Sequence, residues 1–539
     1  MSTALDGLED RYDVVVLGVG PVGALAANLT GRCGLRTLAV DQAPAPYHLP
    51  RAMGIDDQSL RLLQSVGVAQ AMEAEIGLYR TSEYRAASGA VLRRIVQPPE
   101  PYPLSWPPYA TFVQPQLEAA ARSALVSCPD ITLRLGVRAQ LLDEKGGPVR
   151  LRLSAEGTER DLTCRYLLAC DGASSPVRER LGIPLEDMCF DEPWLVTDII
   201  VDDPGLLPDV NIQNCDPARP SSYICGPGRL RRWEVMLLPG EEPAEMVSEA
   251  SIRRVLAPWL PEGQGTIWRA ATYRFHALVA KQWRRNNIFL LGDAAHQTPP
   301  FMAQGLNQGL RDAGNLCWKL SEVFHGRAAS SLLDTYETER RPATRHAIAM
   351  AKTLGRIICE RDPAEAAERD RRMLAEMEAG QGVFVRQDLL QQAIGDGFIL
   401  RNPAGQLEGG AGRAFPQPWV QTGEGRRRLD DALPTRWLLL SRPGWRPDAA
   451  LERQAGALGV TFAALGPAQA PVQAILEEDT LISDWMARHD VAAVLVRPDH
   501  VVFGGLSGEE PEASLLTRLE QALRQPEVST GDARALTGA

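Results

Sequence analysis

Cysteine pairs at C-x-x-C spacing are missing from this 539-residue chain; its nine cysteines are scattered. The odd count and the lack of a framework exclude a disulfide scaffold and predict reduced, mostly buried thiols in a reducing compartment. No Cys/His cluster has metal-ligand spacing, so no metal site is expected. None of the seven histidines stands in a nucleophile or metal pattern. A basic excess is missing too: 57 Lys and Arg against 68 Asp and Glu leave a net charge of −11, which argues against nucleic acid or an anionic membrane as partner. No apolar stretch reaches membrane-spanning length. The opening MSTALDGLEDRYD is polar and acidic, unlike a secretory signal. The expectation is a cytoplasmic protein with no membrane and no nucleic-acid partner. Internal repeats are also absent.

What is there is apolar and ordered in blocks. Hydrophobic residues make up 45% and charged residues 23%, which fits a soluble globular chain with a sizeable core in two or three domains. Residues 12–17 (YDVVVL) read as a fully buried strand, followed by a glycine turn, a helix of small residues and a second buried strand, RTLAVD, ending at Asp41. This is a βαβ opening. Residues 76–109 look irregular, rich in Pro and aromatics, and 114–126 read as a helix. Alternating stretches (ITLRLGV, VRLRLSA) predict antiparallel strands that lead into RYLLACD. More strands follow in WLVTDIIVD, RRWEVMLLP and NIFLLGD, then long helices over 305–380. The charge-dense ERDPAEAAERDRRMLAEMEAG reads as a solvated helix. Residues 381–430 look like a linker with irregular structure, after which RWLLLSR, AAVLVRP and HVVFGG alternate with helical stretches as a small α/β unit.

Three motifs carry chemistry. The first is Gly18-Val19-Gly20-Pro21-Val22-Gly23, set between a buried strand and a helix, with Asp41 closing the next strand. Gly18 permits a tight turn, Gly20 lets a pyrophosphate approach the backbone, and Gly23 lets the helix pack on the strand. The helix N-terminus then stabilises the diphosphate charge, and Asp41 can accept from ribose hydroxyls. The second is LLACD (167–171), a buried strand ending in Asp171-Gly172 and followed by ASSPVR. The third is LLGDAAHQTPPFMAQGLNQGLRDAGNL (290–316), which sets Asp293 at a strand end before two prolines and a glycine-bearing helix start. Alone, Asp171 or Asp293 reads better as a helix N-cap.

In this order and spacing the three resemble the FAD-dependent aromatic hydroxylases, the class of p-hydroxybenzoate hydroxylase and phenol hydroxylase, over about residues 10–355. The resemblance implies an α/β fold: a Rossmann-like FAD-binding domain interleaved with a β-sheet substrate domain. It implies non-covalent FAD, with Gly18, Gly20 and Gly23 on the diphosphate and Asp41 on the adenosine ribose. Arg51 and Gln114 become further FAD contacts, Asp171 the acid of the DG motif, and Asp293 the acid on the ribityl chain. Pro299 and Pro300 resemble the rigid turn at the reactive edge of the isoalloxazine. Gly305-Leu306-Asn307 resembles the helix start that faces its pyrimidine end. Leu306, Leu310, Leu320 and Phe324 form a buried stripe on that helix, which Gly326 ends, and His296 reads as structural. Met53 cannot be a base. Tyr223, in the substrate sheet, reads either as a phenol contact or as a packed core tyrosine.

PRAMGIDDQSLRLLQSVGV, RRWEVMLLPGE and PPFMAQGLNQGLRDAGNLCWKL narrow the resemblance to the branch of 3-(3-hydroxyphenyl)propionate and resorcinol hydroxylases. The implied reaction hydroxylates a small phenolic substrate ortho to an existing hydroxyl, with O₂ and NADH or NADPH, through a flavin C4a-hydroperoxide. Gly226-Pro-Gly228 and Gly263-Gln-Gly265 lack a strand–turn–helix context, so NAD(P)H has no Rossmann domain of its own. Another FAD enzyme of the superfamily (halogenase, reductase or epoxidising enzyme) and a non-catalytic FAD-binding protein are the alternatives. No W-x-W-x-I halogenase motif is present, and every flavin motif is intact. The expected division is 1–75, 110–188 and 285–380 for the FAD-binding domain, 76–109 and 189–284 for the substrate domain, 381–394 for a linker, and 395–539 for a thioredoxin-like domain. That last domain has no C-x-x-C, since the final cysteine is Cys359, so thiol chemistry is excluded there and packing is its expected role. A homodimer is left open.

Overall fold

The computed structural model describes residues 4–49, 51–143, 147–261, 263–390, 393–402, 404–407, 409–434, 436–508 and 511–525. The chain divides into two compact units. One comprises residues 1–100, 106–313 and 344–391; the other comprises 101–105, 314–343 and 392–539.

The first unit is built on two sheets. An eight-stranded sheet carries the βαβ opening. Its strand Arg11–Leu17 lies between Thr158–Ala169 and Thr37–Asp41, parallel to both, and Ile288–Leu290 runs parallel outside Thr158–Ala169. These strands are near-continuous runs of Val, Leu, Ile and Ala with Val14, Val15, Val16, Leu167 and Leu168 fully buried, as a sheet covered on both faces requires. The helix Pro21–Arg32 packs on it through small residues, with Ala24, Leu25, Ala26 and Ala27 buried.

A nine-stranded sheet follows, its longest strands the antiparallel pair Leu185–Ile200 and Thr266–Ala280, followed in order by Leu230–Met236 and Ser221–Cys225. Its two faces differ because side chains alternate along each strand. Leu195, Ile199, Tyr223, Trp233 and Val235 form an apolar core with Ile252 and Leu256 of the helix Glu249–Leu256. Each large apolar side chain so buried contributes about 1.5–3 kcal/mol. The intervening residues face the other way and include Ser222, Arg232 and Glu234 beside Val196 and Ile224.

Residues 76–109 are not irregular throughout: Ser82–Arg85 and Val91–Val96 are strands of this sheet. The expected linker at 381–394 also needs correction, since Val383–Val385 is an edge strand parallel to Val91–Val96, followed by the helix Arg386–Leu390. A strand of three residues is too short to show a period. Residues 391 and 392 of that segment lie outside the described residues.

The second unit holds a five-stranded sheet in the order Gln473–Ile475, Val460–Leu465, Trp437–Ser441, Ala493–Val496, Val502–Leu506. The first three run parallel, and the last two form an antiparallel hairpin against Trp437–Ser441. Residues 314–343 pack within this unit. The reason is a buried side-chain network. Lys319 lies 3.0 Å and Arg497 2.7 Å from Glu339, all fully buried, beside a Trp318–Phe398–Trp437 aromatic cluster.

Candidate active site

Four expected residues follow from one feature of the first sheet. Gly18, Asp41, Asp171 and Asp293 stand at or just after the C-terminal ends of four adjacent parallel strands, in the lateral order Asp293, Asp171, Gly18, Asp41. Ligands of open α/β sheets sit at such ends.

The glycine turn is tight where it must be and open where a ligand must approach. Gly18 has φ +89, and a Cβ there would lie 2.2 Å from the Cys170 carbonyl oxygen. A Cβ on Gly23 would lie 1.8 Å from the Gly18 carbonyl oxygen. At Gly20 a Cβ would meet nothing within 4 Å. Gly20 also caps the helix Pro21–Arg32 without a side-chain acceptor, leaving its first N–H groups for an anion. Asp41 accepts from Val19 N at 2.7 Å and from Ala43 N at 2.8 Å, so its carboxylate holds the turn and keeps lone pairs for ribose hydroxyls. Arg122 donates to the Val19 carbonyl from the other side at 3.1 and 3.2 Å. These features fit a dinucleotide diphosphate.

Asp171 accepts from Val177 N at 3.1 Å, which makes it a support of the short helix Pro176–Arg180, while its second oxygen is buried without a partner. Burial raises its pKa against the hydrogen bonds from Ser175 and Val177. Gln114 accepts from Arg51 N at 3.2 Å and Ala52 N at 2.7 Å, and its amide donates to Glu118. It therefore shapes the loop that bears Arg51.

A cavity of about 450 Å³ opens beside Arg51, Asp293, Pro300, Gly305 and Leu306. Asp293 sits in a recess open to this cavity. The atoms packed around it push its carboxyl above the usual range, against the influence of His296 and Arg51. Pro299 is buried and is not part of the wall. Asn307 is also off the wall: it accepts from Asp56 N at 3.1 Å and donates to Ala303 O at 2.8 Å, stapling the start of the helix Gln304–Phe324 to the strand Gly54–Asp56. His296 is buried, hydrogen-bonded to Asp312 at 2.7 Å and stacked on Trp283, as a structural histidine should be. Gly326, just past the helix, has φ +71.

Tyr223 must be corrected as a substrate contact. It lies on the apolar face of the nine-stranded sheet, packs on Trp233 and donates to Pro208 O at 3.1 Å. Its neighbours Ser222 and Ile224 line the cavity instead, because a strand alternates.

The polar face of that sheet holds residues that the sequence reading passed over. Arg232 donates to both oxygens of Asp198, at 2.7 and 2.9 Å, and to Arg51 O at 2.8 Å. Arg269 donates to Asp198 at 3.2 Å and to the Tyr273 hydroxyl at 2.5 Å. Arg232, Glu234, Arg269 and Tyr273 all line the cavity. Arg232 and Glu234 had a partial signal: in RRWEVM they alternate with Trp233 and Val235, which puts them on one face of the strand without saying which face is the core. Arg386 had no such signal. Its buried guanidinium lies 3.8 Å from the Tyr109 ring centre and 4.9 Å from that of Tyr79. It donates to Met302 O at 2.6 Å. Met302 (φ +89) and Ala303 (φ +49) are left-handed non-glycine residues directly before the helix start.

Comparison with known proteins agrees with this geometry. Residues 11–351 match the FAD binding domain family, and residues 412–522 match the HcaD C-terminal domain. The chain is 35% identical to 3-(3-hydroxy-phenyl)propionate/3-hydroxycinnamic acid hydroxylase 2 of Burkholderia vietnamiensis, across 92% of this chain and 93% of the relative. It is 33% identical to the "Probable NADH-specific resorcinol 4-hydroxylase" of Rhodococcus jostii, across 91% of each. Among solved structures it is similar in fold to the flavin-dependent monooxygenase PieE in complex with FAD and substrate, with TM-score 0.79, 22% identity, 95% of this chain and 99% of that one. Aklavinone-11 hydroxylase with FAD and aklavinone gives TM-score 0.74, 24% identity, 96% and 100%. With a family match over most of the chain and relatives of this identity along nearly its whole length, the chain belongs to the FAD-dependent aromatic hydroxylases, the class A flavoprotein monooxygenases.

Proposed function

We propose that the chain hydroxylates a phenolic compound ortho to an existing hydroxyl, using O₂ and NADH or NADPH. One observation carries the reading: the expected catalytic residues Pro300 and Gly305, the expected cofactor residues Asp293 and Leu306, and the sheet wall of Arg232, Glu234, Arg269 and Tyr273 open into one cavity. Both relatives named above act, by their names, on phenols. The glycine turn and Asp41 would hold the adenosine diphosphate half of a non-covalent FAD, and Asp293 its ribityl chain. The chemistry that FAD supplies when bound is two-electron transfer from the nicotinamide donor and activation of O₂ for oxygen-atom transfer. Gly305 and Leu306 bring helix N–H groups to the cavity, where they stabilise negative charge. Tyr273, whose hydroxyl oxygen takes a hydrogen bond from Arg269, keeps its own proton for a substrate oxygen. Phe275, Phe301 and Met302 supply apolar wall against the ring and against water. Among the described residues no second dinucleotide turn stands at a parallel strand end, so the nicotinamide acts as a transient co-substrate. We read residues 395–539 as thioredoxin-like and, having no cysteine, devoid of thiol chemistry.

The test is NAD(P)H oxidation by purified protein with 3-(3-hydroxyphenyl)propionate, resorcinol and related phenols, followed by ¹⁸O₂ labelling and product mass. One labelled oxygen ortho to the original hydroxyl is expected. Product oxygen drawn from water, or no phenol that accelerates NAD(P)H oxidation, overturns the reading.

A further inference from the structure

We propose that Glu234 accepts the phenolic proton, converting the bound phenol to its phenolate; this rests on the hydroxylase reading above. Glu234 stands on the strand Leu230–Met236, paired with Ser222 on one side and Val196 on the other, and all three line the cavity. It is 6% exposed, yet no described residue donates a hydrogen bond to its carboxyl, and its nearest cation is Arg232 Nη1 at 3.9 Å. Two polar neighbours of Glu234 on the sheet are committed elsewhere. Asp198 is saturated by Arg232 and Arg269, and the Ser222 hydroxyl donates to Gln213 at 2.6 Å. The contrast with Glu339 is direct: that structural carboxylate takes hydrogen bonds from Arg497, Asn315 and Phe398 N. A buried carboxyl that faces a cavity with its acceptors unused is suited to a donor that arrives with the substrate.

The surrounding charges set its basicity. Burial raises its pKa; Arg232 and Arg269 pull it down, and Asp198 pushes it up. Arg51, Tyr79, Arg274, His276 and Tyr273 complete the titratable groups on the cavity, with Asp293 on the cofactor wall. A carboxylate raised toward neutrality is a better match for a phenol than an ordinary one. In the proposed step the phenol O–H bond breaks and its proton moves to a Glu234 carboxylate oxygen. The electron pair stays on the phenolate oxygen and enriches the ortho carbon. That carbon gains one oxygen atom of O₂ and loses its hydrogen as a proton on rearomatisation. The other oxygen atom leaves as water, with two electrons from NAD(P)H.

The experiment compares wild type, Glu234→Gln and Glu234→Asp, using resorcinol, 3-(3-hydroxyphenyl)propionate and their more acidic ring-fluorinated derivatives. Glu234→Gln should lower kcat by about 100-fold or more, abolish the acid limb of kcat/KM against pH, and lose least with the most acidic phenols. Ultraviolet difference spectra should show bound phenolate in the oxidised wild type and neutral phenol in Glu234→Gln. Glu234→Asp should restore the acid limb at a reduced rate. An unaltered acid limb in Glu234→Gln, or an equal loss for all phenols whatever their acidity, overturns the proposal while the hydroxylase reading stands. A wild type that no phenol stimulates overturns both.

Discussion

A methyl group at residue 23 has nowhere to go, because the Gly18 carbonyl oxygen would lie 1.8 Å from it and belongs to a backbone that Asp41 and Arg122 hold. Gly23→Ala should therefore push the helix Pro21–Arg32 off its strand, at about 1–3 kcal/mol, and weaken FAD retention by roughly tenfold or more, read by equilibrium dialysis. Asp293→Ala should also weaken FAD retention, because it removes the proposed ribityl acceptor; full FAD affinity in that variant rules the assignment out. Tyr223→Phe separates the two faces of the substrate sheet. It removes the hydrogen bond to Pro208 O and the weak one accepted from Cys225 Sγ, and touches nothing in the cavity. The expected result is a stability loss of about 1 kcal/mol with kcat and KM unchanged.

At the scale of elements, the helix Gln304–Phe324 depends on how the chain enters it. Two successive left-handed non-glycine residues, Met302 and Ala303, cost about 1–3 kcal/mol each and persist only where neighbours hold them. Arg386 holds the Met302 carbonyl, and the Tyr109 hydroxyl holds that of Ala303 at 3.2 Å. Arg386→Met should release the turn and misplace Gly305 and Leu306 on the cavity wall. The expected outcome is NAD(P)H consumption that yields less hydroxylated product and more H₂O₂, with a stability loss of about 1.5–3 kcal/mol. Arg386→Lys should recover only part, because an ammonium cannot reproduce the planar stack on Tyr109. Unchanged coupling in Arg386→Met rules this positioning role out.

At the scale of the whole molecule, the second unit rests on the Lys319–Glu339–Arg497 network. Burial alone would raise the pKa of Glu339, but Arg497 and Lys319 outweigh it and bring it from 4.5 to about 2. A carboxyl depressed on folding stabilises fully above its unfolded pKa, so this contribution drains away as pH falls from about 4.5 toward 2. Lys319 is lowered to about 8 by burial, with Arg497 adding to the effect against Glu339 and Asp499. Its ionisation therefore opposes folding below that pH. Glu339→Gln should cost about 3–5 kcal/mol in urea unfolding at neutral pH, since it leaves two buried cations short of their partner. A chain ended at residue 391 removes Arg497, Trp437 and Phe398 from residues 314–343 and should aggregate or melt at lower temperature. An unchanged melting temperature there excludes the structural role of the C-terminal unit.

Much of the cofactor end was legible in the sequence, because its signals are local. A buried strand, a glycine turn with a forced left-handed residue and a helix start are adjacent in the chain, and so Gly18 and Asp41 could be named from spacing, while Asp171 and Asp293 needed the resemblance of the three motifs together. The Gly305–Asn307 helix start was legible for the same reason. The side of each strand that faces a ligand was not, since alternation in RRWEVM and SSYIC gives two faces without saying which is the core. Packing of Tyr223 and Trp233 against Ile252 and Leu256 decided that, and so turned Ser222, Arg232 and Glu234 to the cavity. Arg386 lies 84 residues from the carbonyl it holds, and Glu339 lies 158 from Arg497. No local pattern encodes such pairings; they form because a buried charge must find its partner wherever the folded chain places it.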